Sequence, residues 1–394
     1  MVVPVPPGQP VPMEDSRFKE VRKLKKKDLP PVLQWLAGQD YLVHEMLGIY
    51  SFEMETFKKS SKEAFQIFEK ATDKIIQTRQ LDYLGIPDFF HSAIRNSWEN
   101  RADHPFLMGR FDLNGGTDHL ETRIIEFNAD TFSSVPETLV WQKLQNQETY
   151  TSYFSCMEEE LVKKLKDLKN RFDFDEVHMI ASSLGHPEDV ANCNALLLQG
   201  YQAGLQCLYK NLEEIIFSEE DGIFYDLGNG DYQPVDIWFK MIPWDWMFTF
   251  EPELAQTLSV ILEKKLAVIL NPPYTSVWQN KNFLSYITEH FPNSCIAETF
   301  NEQNGMSLYV KKPVYGRVGE NIYLQSEEKK YQTHGDYSTQ PVVYQKYYPL
   351  AVDEEKYSYQ FGMFYSDKPL AFNARIQNSK IITDDCDFIS HYLL

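Results

Sequence analysis

From about residue 30 to residue 85, apolar positions recur every three or four residues, most regularly in SFEMETFKKSSKEAFQIFEKATDKIIQTRQL, and that period predicts helix. A turn at GIPDF leads into a second helical stretch, HSAIRNSWEN. The period then drops to two. GRFDL and RIIEFN alternate polar and apolar residues on either side of NGGTDHLE, a loop rich in turn formers, so a hairpin is expected. SSVPETLVWQKLQNQETY reads as a helix with Pro136 in its first turn. From Asp175 the pattern is α/β: EVHMIAS is a strand, HPEDVANCNALLLQGYQAG a helix, and LQCLYKNLEEIIF holds one or two further strands. This is a Rossmann-like unit without the GxGxxG of a dinucleotide site. The aromatic stretch DIWFKMIPWDWMF is expected at a lobe boundary, LAVILNPP as a buried strand and QNKNFLSYITEHFP as a helix. The last hundred residues alternate short strands with turns: SLYVKKPV, NIYLQ, PVVYQKYYPL, YSYQFGMFYS, AFNARIQ and KIIT.

Composition narrows the classes. The chain has 394 residues, 43% of them hydrophobic, enough for two or three lobes around a large core. A net charge of −19 argues against a nucleic-acid partner and weakly favours a cationic substrate. Five scattered cysteines without CxxC spacing fit neither a disulfide framework nor a structural zinc, so a cytoplasmic protein is expected. No apolar run reaches the length of a membrane span. MVVPVPPGQPVP followed by the basic RKLKKKDL suggests a flexible tail over residues 1–30.

The chemistry concentrates in the hairpin. Alternate residues of a strand share a face, so Arg110 with Asp112, and Glu126 with Asn128, can converge if the register allows. Two carboxylates and an amide oxygen suit a hard cation such as Mg²⁺, and Arg110 could neutralise developing charge. The same residues also suit a solvent-facing hairpin with a cross-strand Arg–Glu pair. Against that, Glu126 and Asn128 interrupt an apolar strand and need partners if buried. YVKKPVYGRVGEN places Lys312 at a strand end before a glycine-bearing loop, an arrangement that can lie on phosphates but is also a common turn. Lys281 in QNKN offers a second cation. Glu188 and Asp189 open a helix behind Pro187, where the helix dipole alone would explain them, or where they could receive an amine. No Walker-type GxxxxGK[ST] is present.

Taken in order, SFEMETFKKSSKEAFQIFEKAT, GRFDL, IIEFNADT, FKMIPWDWM, LNPPYTSVWQNKNFL, YVKKPVYGRVGEN, VVYQKYYPL and AFNARIQNSKIIT resemble the glutathionylspermidine synthase family, over roughly residues 40–394. The resemblance is to synthetase-only members, without an N-terminal amidase domain. It implies an α/β ATP-grasp fold: a helical portion with the metal-binding hairpin (31–172), a Rossmann-like pre-ATP-grasp segment (173–265) and a nucleotide-binding lobe (266–394). It implies an ATP- and Mg²⁺-dependent ligase that joins a peptide-like carboxylate, such as glutathione, to an amine, such as a polyamine, through an acyl phosphate. By resemblance Arg110 is catalytic, and Asp112, Glu126 and Asn128 bind two Mg²⁺. ATP would meet Arg110, Asp112, Lys281, Lys312, Val318, Gly319, Gln345, Lys346, Tyr347, Tyr348, Gln360, Ile381, Ile382 and Thr383. Thr131, Glu188, Asp189 and Arg375 would meet substrates, with Arg375 displaced by one residue from the family position. Met241 stands where bifunctional members carry a hydroxyl. A different acid and amine, or a nucleotide-binding scaffold without turnover, are the alternatives. A homodimer is left open.

Overall fold

The computed structural model describes residues 12–327 and 329–394. Its organising element is a mainly antiparallel sheet of eight strands, running Phe18–Glu20, Leu42–Ile49, Asp387–Leu393, Pro369–Gln377, Ser358–Tyr365, Gly109–Asn114 and Arg123–Asn128, with Ala351–Val352 also paired to Ser358–Tyr365. Leu42–Ile49 and Asp387–Leu393 are its one parallel pair. The 27-residue helix Ser51–Gln77 lies on one face. Its phenylalanines explain the docking: Phe57 meets Phe361 and Phe372 at centroid distances of 5.1 and 5.0 Å, and Phe68 meets Phe111 and Phe127 at 5.8 and 5.4 Å. Phe111 and Phe127 are directly opposed across the hairpin and stacked 3.8 Å apart. The strand period of two therefore sends these rings into the core and their polar neighbours to the other face.

Two further sheets flank this one. Gln206–Asn211, His178–Ser183, Ile237–Lys240 and Val268–Leu270 form an all-parallel sheet in that spatial order, with the helix Pro187–Gln202 crossing between the first two in chain order. An antiparallel sheet orders Thr299–Phe300, Val342–Lys346, Tyr309–Pro313, Tyr323–Gln325 and Lys330–Gln332. A small three-stranded sheet, Ile215–Ser218, Gly222–Asp226 and Tyr232–Pro234, completes the set. Asn271 joins the parallel sheet to the hairpin. Its buried side chain accepts from Leu107 N at 2.9 Å and donates to the carbonyls of Met108 and Ala129 at 2.9 and 2.8 Å. Every hydrogen-bonding group of that amide is engaged, so both hairpin strands are fixed where they enter and leave the site.

Four expectations are corrected. The helical reading of residues 30–85 missed the strand Leu42–Ile49, which separates the 3₁₀ stretch Pro31–Gly38 from the long helix Ser51–Gln77. KIIT is not a strand but a loop, held because the Gln377 side chain bonds both the Thr383 hydroxyl and its N–H at 2.8 Å. The helix Met157–Lys169 and the final strand Asp387–Leu393 were passed over. Residues 1–11 of the expected flexible tail lie outside the described residues, but from residue 12 the chain is packed. Met13, Leu24 and Leu29 are buried, and Arg17, 4% exposed, meets the 1%-exposed Glu53 at 2.8 Å and Asp118 at 2.8 Å.

Removing one partner of such a buried pair strands the other without its counter-charge. Arg17→Met should therefore destabilise the protein by about 3–5 kcal/mol, read from urea unfolding at neutral pH. A change of under half a kcal/mol, the scale of an ordinary surface substitution, would show that the N-terminal segment is not part of the cooperative fold.

Candidate active site

The hairpin register decides the site. Arg110 lies opposite Asn128 and Asp112 opposite Glu126, so all four side chains emerge on the face away from the aromatic core. They form the floor of a cavity of about 360 Å³. Asp112 is fully buried and Arg110 nearly so, which rules out the solvent-facing reading of this hairpin. Arg110 Nε donates to Asp112 Oδ1 at 2.7 Å and its Nη2 to Oδ2 at 3.2 Å, while Nη1 reaches the Ser133 carbonyl at 2.8 Å. Arg375 Nη2 donates to Asp112 Oδ2 at 2.6 Å and to Gln360 Oε1 at 2.5 Å. Burial alone would raise the Asp112 carboxyl; Arg110 and Arg375 overcome it and hold the group well below the usual carboxylate range. Gly362, directly opposite Asp112, leaves the space Arg110 uses, since a Cβ there would stand 2.9 Å from Arg110 Cδ.

A bulge follows. Pairing runs Asp112 with Glu126 and then Leu113 with Ile124, leaving Ile125 outside the ladder. Its carbonyl turns to the neighbouring antiparallel sheet and accepts from Gln345 Nε2 at 3.0 Å and Lys312 Nζ at 3.4 Å. Lys281 stands beside Lys312, 3.4 Å from Glu126 and donating to the Gly316 carbonyl at 2.7 Å. The loop after Lys312 closes over this end. Gly319, at φ +71°, lies so close to the 381–383 segment that a Cβ would come within 2.3 Å of the Ile382 carbonyl. Only glycine fits both that conformation and that approach. Arg317 anchors the loop to Asp245 at 3.0 Å.

All twenty residues named from the sequence as catalytic, metal-, ATP- or substrate-binding line this one cavity. Gln345, Lys346, Tyr347 and Tyr348 follow one another along a strand and its exit, and Asn114 ties the Tyr348 carbonyl to the hairpin at 2.9 Å. Ile381, Ile382 and Thr383 form the wall under the glycine loop. Thr131 leads from the hairpin toward Ser133, and Arg375 is held at the Asp112 side. Glu188 and Asp189 line the cavity from the first turn of Pro187–Gln202. The Glu188 carboxyl is pushed up to about 7 by desolvation and by the charges of Glu137, Asp384 and Asp189. With Glu188 this open to solvent, the neighbouring charges are the firmer cause.

Sequence reasoning missed several contributors. Gln279 bridges Asn128 Oδ1 at 3.4 Å and Asp130 N at 3.1 Å. Asp130 and Lys240, both fully buried and 2.5 Å apart, brace the segment behind Asn128. Tyr41 and Glu137 pair inside the wall. An acid in VPETLVW or a lysine in DIWFKMI breaks an otherwise apolar run, and that was the available signal.

Three sheets clasping a polar cleft define an ATP-grasp protein. The likeness extends to a solved glutathione synthetase-like effector (GSS30) from Globodera pallida in its apo form, at a TM-score of 0.54 over 89% of each chain with 9% identity, a likeness of fold alone. The chain belongs to the glutathionylspermidine synthase preATP-grasp family, whose model matches residues 32–394. That membership sets its class as ATP-dependent carbon–nitrogen ligase. It is 27% identical over 317 residues to a Haemophilus influenzae protein named "Putative acid–amine ligase", covering 76% of this chain and 77% of that one. It is 23% identical over 327 residues to the bifunctional glutathionylspermidine synthetase/amidase of Escherichia coli, covering 76% of this chain and about half, 51%, of that one. Among the described residues no helix is long and apolar enough to cross a membrane.

Lys312 gives a direct check on the electrostatics. Burial pushes its ammonium down to about 8, with Glu126 opposing and Lys281 adding to the shift. The folded protein then binds this proton less tightly than the unfolded chain, whose lysine titrates near 10.5. Stability without ligand should rise as pH climbs from about 8 toward that value. Lys312→Met should be more stable than the parent at pH 7, on the order of 1–3 kcal/mol, and should lose that rise. Urea unfolding at pH 7 and pH 9.5 measures both. A destabilised Lys312→Met would mean that the Glu126 attraction outweighs the burial.

Proposed function

We propose that the protein forms an amide between a peptide-like carboxylate and an amine, using ATP to activate the acid as an acyl phosphate. The observation that carries the reading is the cross-strand register, which gathers Arg110, Asp112, Glu126 and Asn128 on one buried face below Lys281 and Lys312. Their oxygens are the hard donors Mg²⁺ takes, two carboxylates and an amide, so the residues present fit the ion. Bound there, Mg²⁺ would shield the terminal phosphates and orient them for in-line transfer.

The chain's own groups account for the rest. Lys281 and Lys312 take phosphate oxygens, and the Val318–Gly319 loop covers them. Gln345 to Tyr348, Gln360 and Ile381 to Thr383 surround the nucleotide. Arg110, held in place by Asp112 and the Ser133 carbonyl, stabilises charge on the transferring phosphoryl group. Thr131 and Arg375 face the acid. Glu188 and Asp189, whose carboxyls are both raised by desolvation and by the charge of Asp384, favour a cationic amine. Glutathione with a polyamine is the preferred pair. A different acid is the second reading, because Met241 gives that wall a buried thioether.

Phosphate release from ATP and Mg²⁺, measured across acids and amines that include glutathione and spermidine with products weighed by mass spectrometry, tests the class. A condensed product with one ADP each is expected; ATP binding with no release under any pair would support a scaffold instead. Arg110→Ala should keep ATP affinity within a few-fold and lower kcat by about 10²–10³ or more, since its contact is made chiefly in the transition state. An unchanged kcat sinks the assignment. Glu188→Gln should raise the KM of a cationic amine while sparing ATP; an unmoved KM reduces this acidic pair to a helix start.

A further inference from the structure

Glu137 has no role in the scheme so far, and its surroundings require one. It begins the π turn Glu137–Trp141, is 2% exposed and lines the cavity. The Tyr41 hydroxyl donates to Oε1, and Oε2, equally buried, has no partner. A buried carboxylate oxygen without a donor is costly, and such oxygens in native proteins await a ligand, an ion or water. π turns of this kind also recur at functional sites.

Position narrows what that donor is. Glu137 feels the charge of Arg110, and Glu188 feels the charges of both. It shares the cavity wall with the group assigned to the transferring phosphoryl and the group assigned to the amine. The Asn192 side chain fixes this spacing: it accepts from Val135 N at 3.0 Å, two residues before Glu137, and donates to the Glu188 carbonyl at 2.9 Å. A donor reaching Oε2 from the cavity is next to the bond being made.

We propose that Glu137 Oε2 receives the ammonium nitrogen of the amine substrate and takes the proton it must lose before attack, an inference that rests on the ligase reading above. One N–H proton passes to Oε2. The nitrogen lone pair then forms the C–N bond at the acyl carbon, and the C–O bond to phosphate breaks with its electron pair. The second nitrogen proton leaves with the phosphate. Burial, which raises the Glu137 carboxyl against the Tyr41 hydrogen bond, strengthens its hold on the proton it receives. Tyr41 fixes Oε1 and leaves Oε2 as the carboxyl oxygen without a donor.

The test separates activation of the acid from attack by the amine. With ATP, Mg²⁺ and glutathione, or the acid selected by the phosphate-release matrix, hydroxylamine traps an acyl phosphate as the hydroxamate. Being uncharged at neutral pH, hydroxylamine needs no base. Glu137→Gln should form hydroxamate at a rate within about twofold of the parent, yet make the amide from a cationic amine about 10²–10⁴-fold more slowly. Equal loss of both products, or loss of neither, overturns the proposal. Tyr41→Phe supplies a second reading should the Gln variant not fold: it frees the carboxylate to turn, and should raise amine KM without touching hydroxamate formation. An unchanged amine KM there counts against the proposal. A parent enzyme that yields no hydroxamate from any acid overturns the ligase reading itself, and the role of Glu137 with it.

Discussion

Asp112 is the charge around which the site is assembled. A carboxylate with no solvent contact stays ionised here because two guanidiniums reach it, one from its own strand and one from Pro369–Gln377 across the intervening strand. Each arginine is thereby held at a fixed place and angle before any ligand arrives. Arg110 also donates through Nη1 to the Ser133 carbonyl, and Arg375 reaches Gln360 through the same Nη2 that meets Asp112, so the constraint spreads into the loop after the hairpin and into the strand Ser358–Tyr365. Preorganisation of this kind is what the proposed phosphoryl transfer would need.

The net charge of −19 makes the location of positive charge informative. Arg110 and Arg375 meet at Asp112 and Lys281 meets Glu126, with Lys312 beside it, while Glu137, Glu188, Asp189 and Asp384 line the same cavity. In a chain this acidic, burying two lysines near one another opposes stability, and Lys312 shows the strain in its lowered proton affinity. A lining that carries both signs of charge is compatible with the proposed pair of an anionic nucleotide and a cationic amine.

Much of this was legible in the chain because strand alternation is a strong constraint. Arg110 and Asp112 two apart, with Glu126 and Asn128 two apart beyond a Gly-Gly turn, leave few arrangements once Phe111 and Phe127 must be buried. Gly116 shows why the turn carries glycine: a Cβ there would meet the Phe57 ring at 2.2 Å. The strand Leu42–Ile49 was not legible, since it lies between two helix-like periods and pairs on one side with the three-residue strand Phe18–Glu20 and on the other with Asp387–Leu393, more than 300 residues away. KIIT has a strand's composition, but its conformation is set by Gln377 and by Gly319, contacts local propensity cannot encode. Glu137 and Lys240 were passed over for the same reason. Each is one polar residue in an apolar run, and only the fold shows which cavity or partner it meets.

The bulge at Ile125 explains how the two halves of the site are kept in register. A regular hairpin would turn that carbonyl into its own ladder. The extra residue releases it toward the neighbouring sheet, where Gln345 bonds it at 3.0 Å and Lys312 at 3.4 Å. Gln345 is also fixed by Thr299 at 2.9 Å, so its amide has two partners and little reason to move. Lys312 holds the same carbonyl only at the edge of hydrogen-bond range, with its charge poorly solvated. A polyphosphate entering between the sheets offers the ammonium a stronger acceptor, while Gln345 keeps the sheets joined. The glutamine thus serves as a fixed contact and the lysine as an exchangeable one, both written on the strand Val342–Lys346 and its neighbour Tyr309–Pro313.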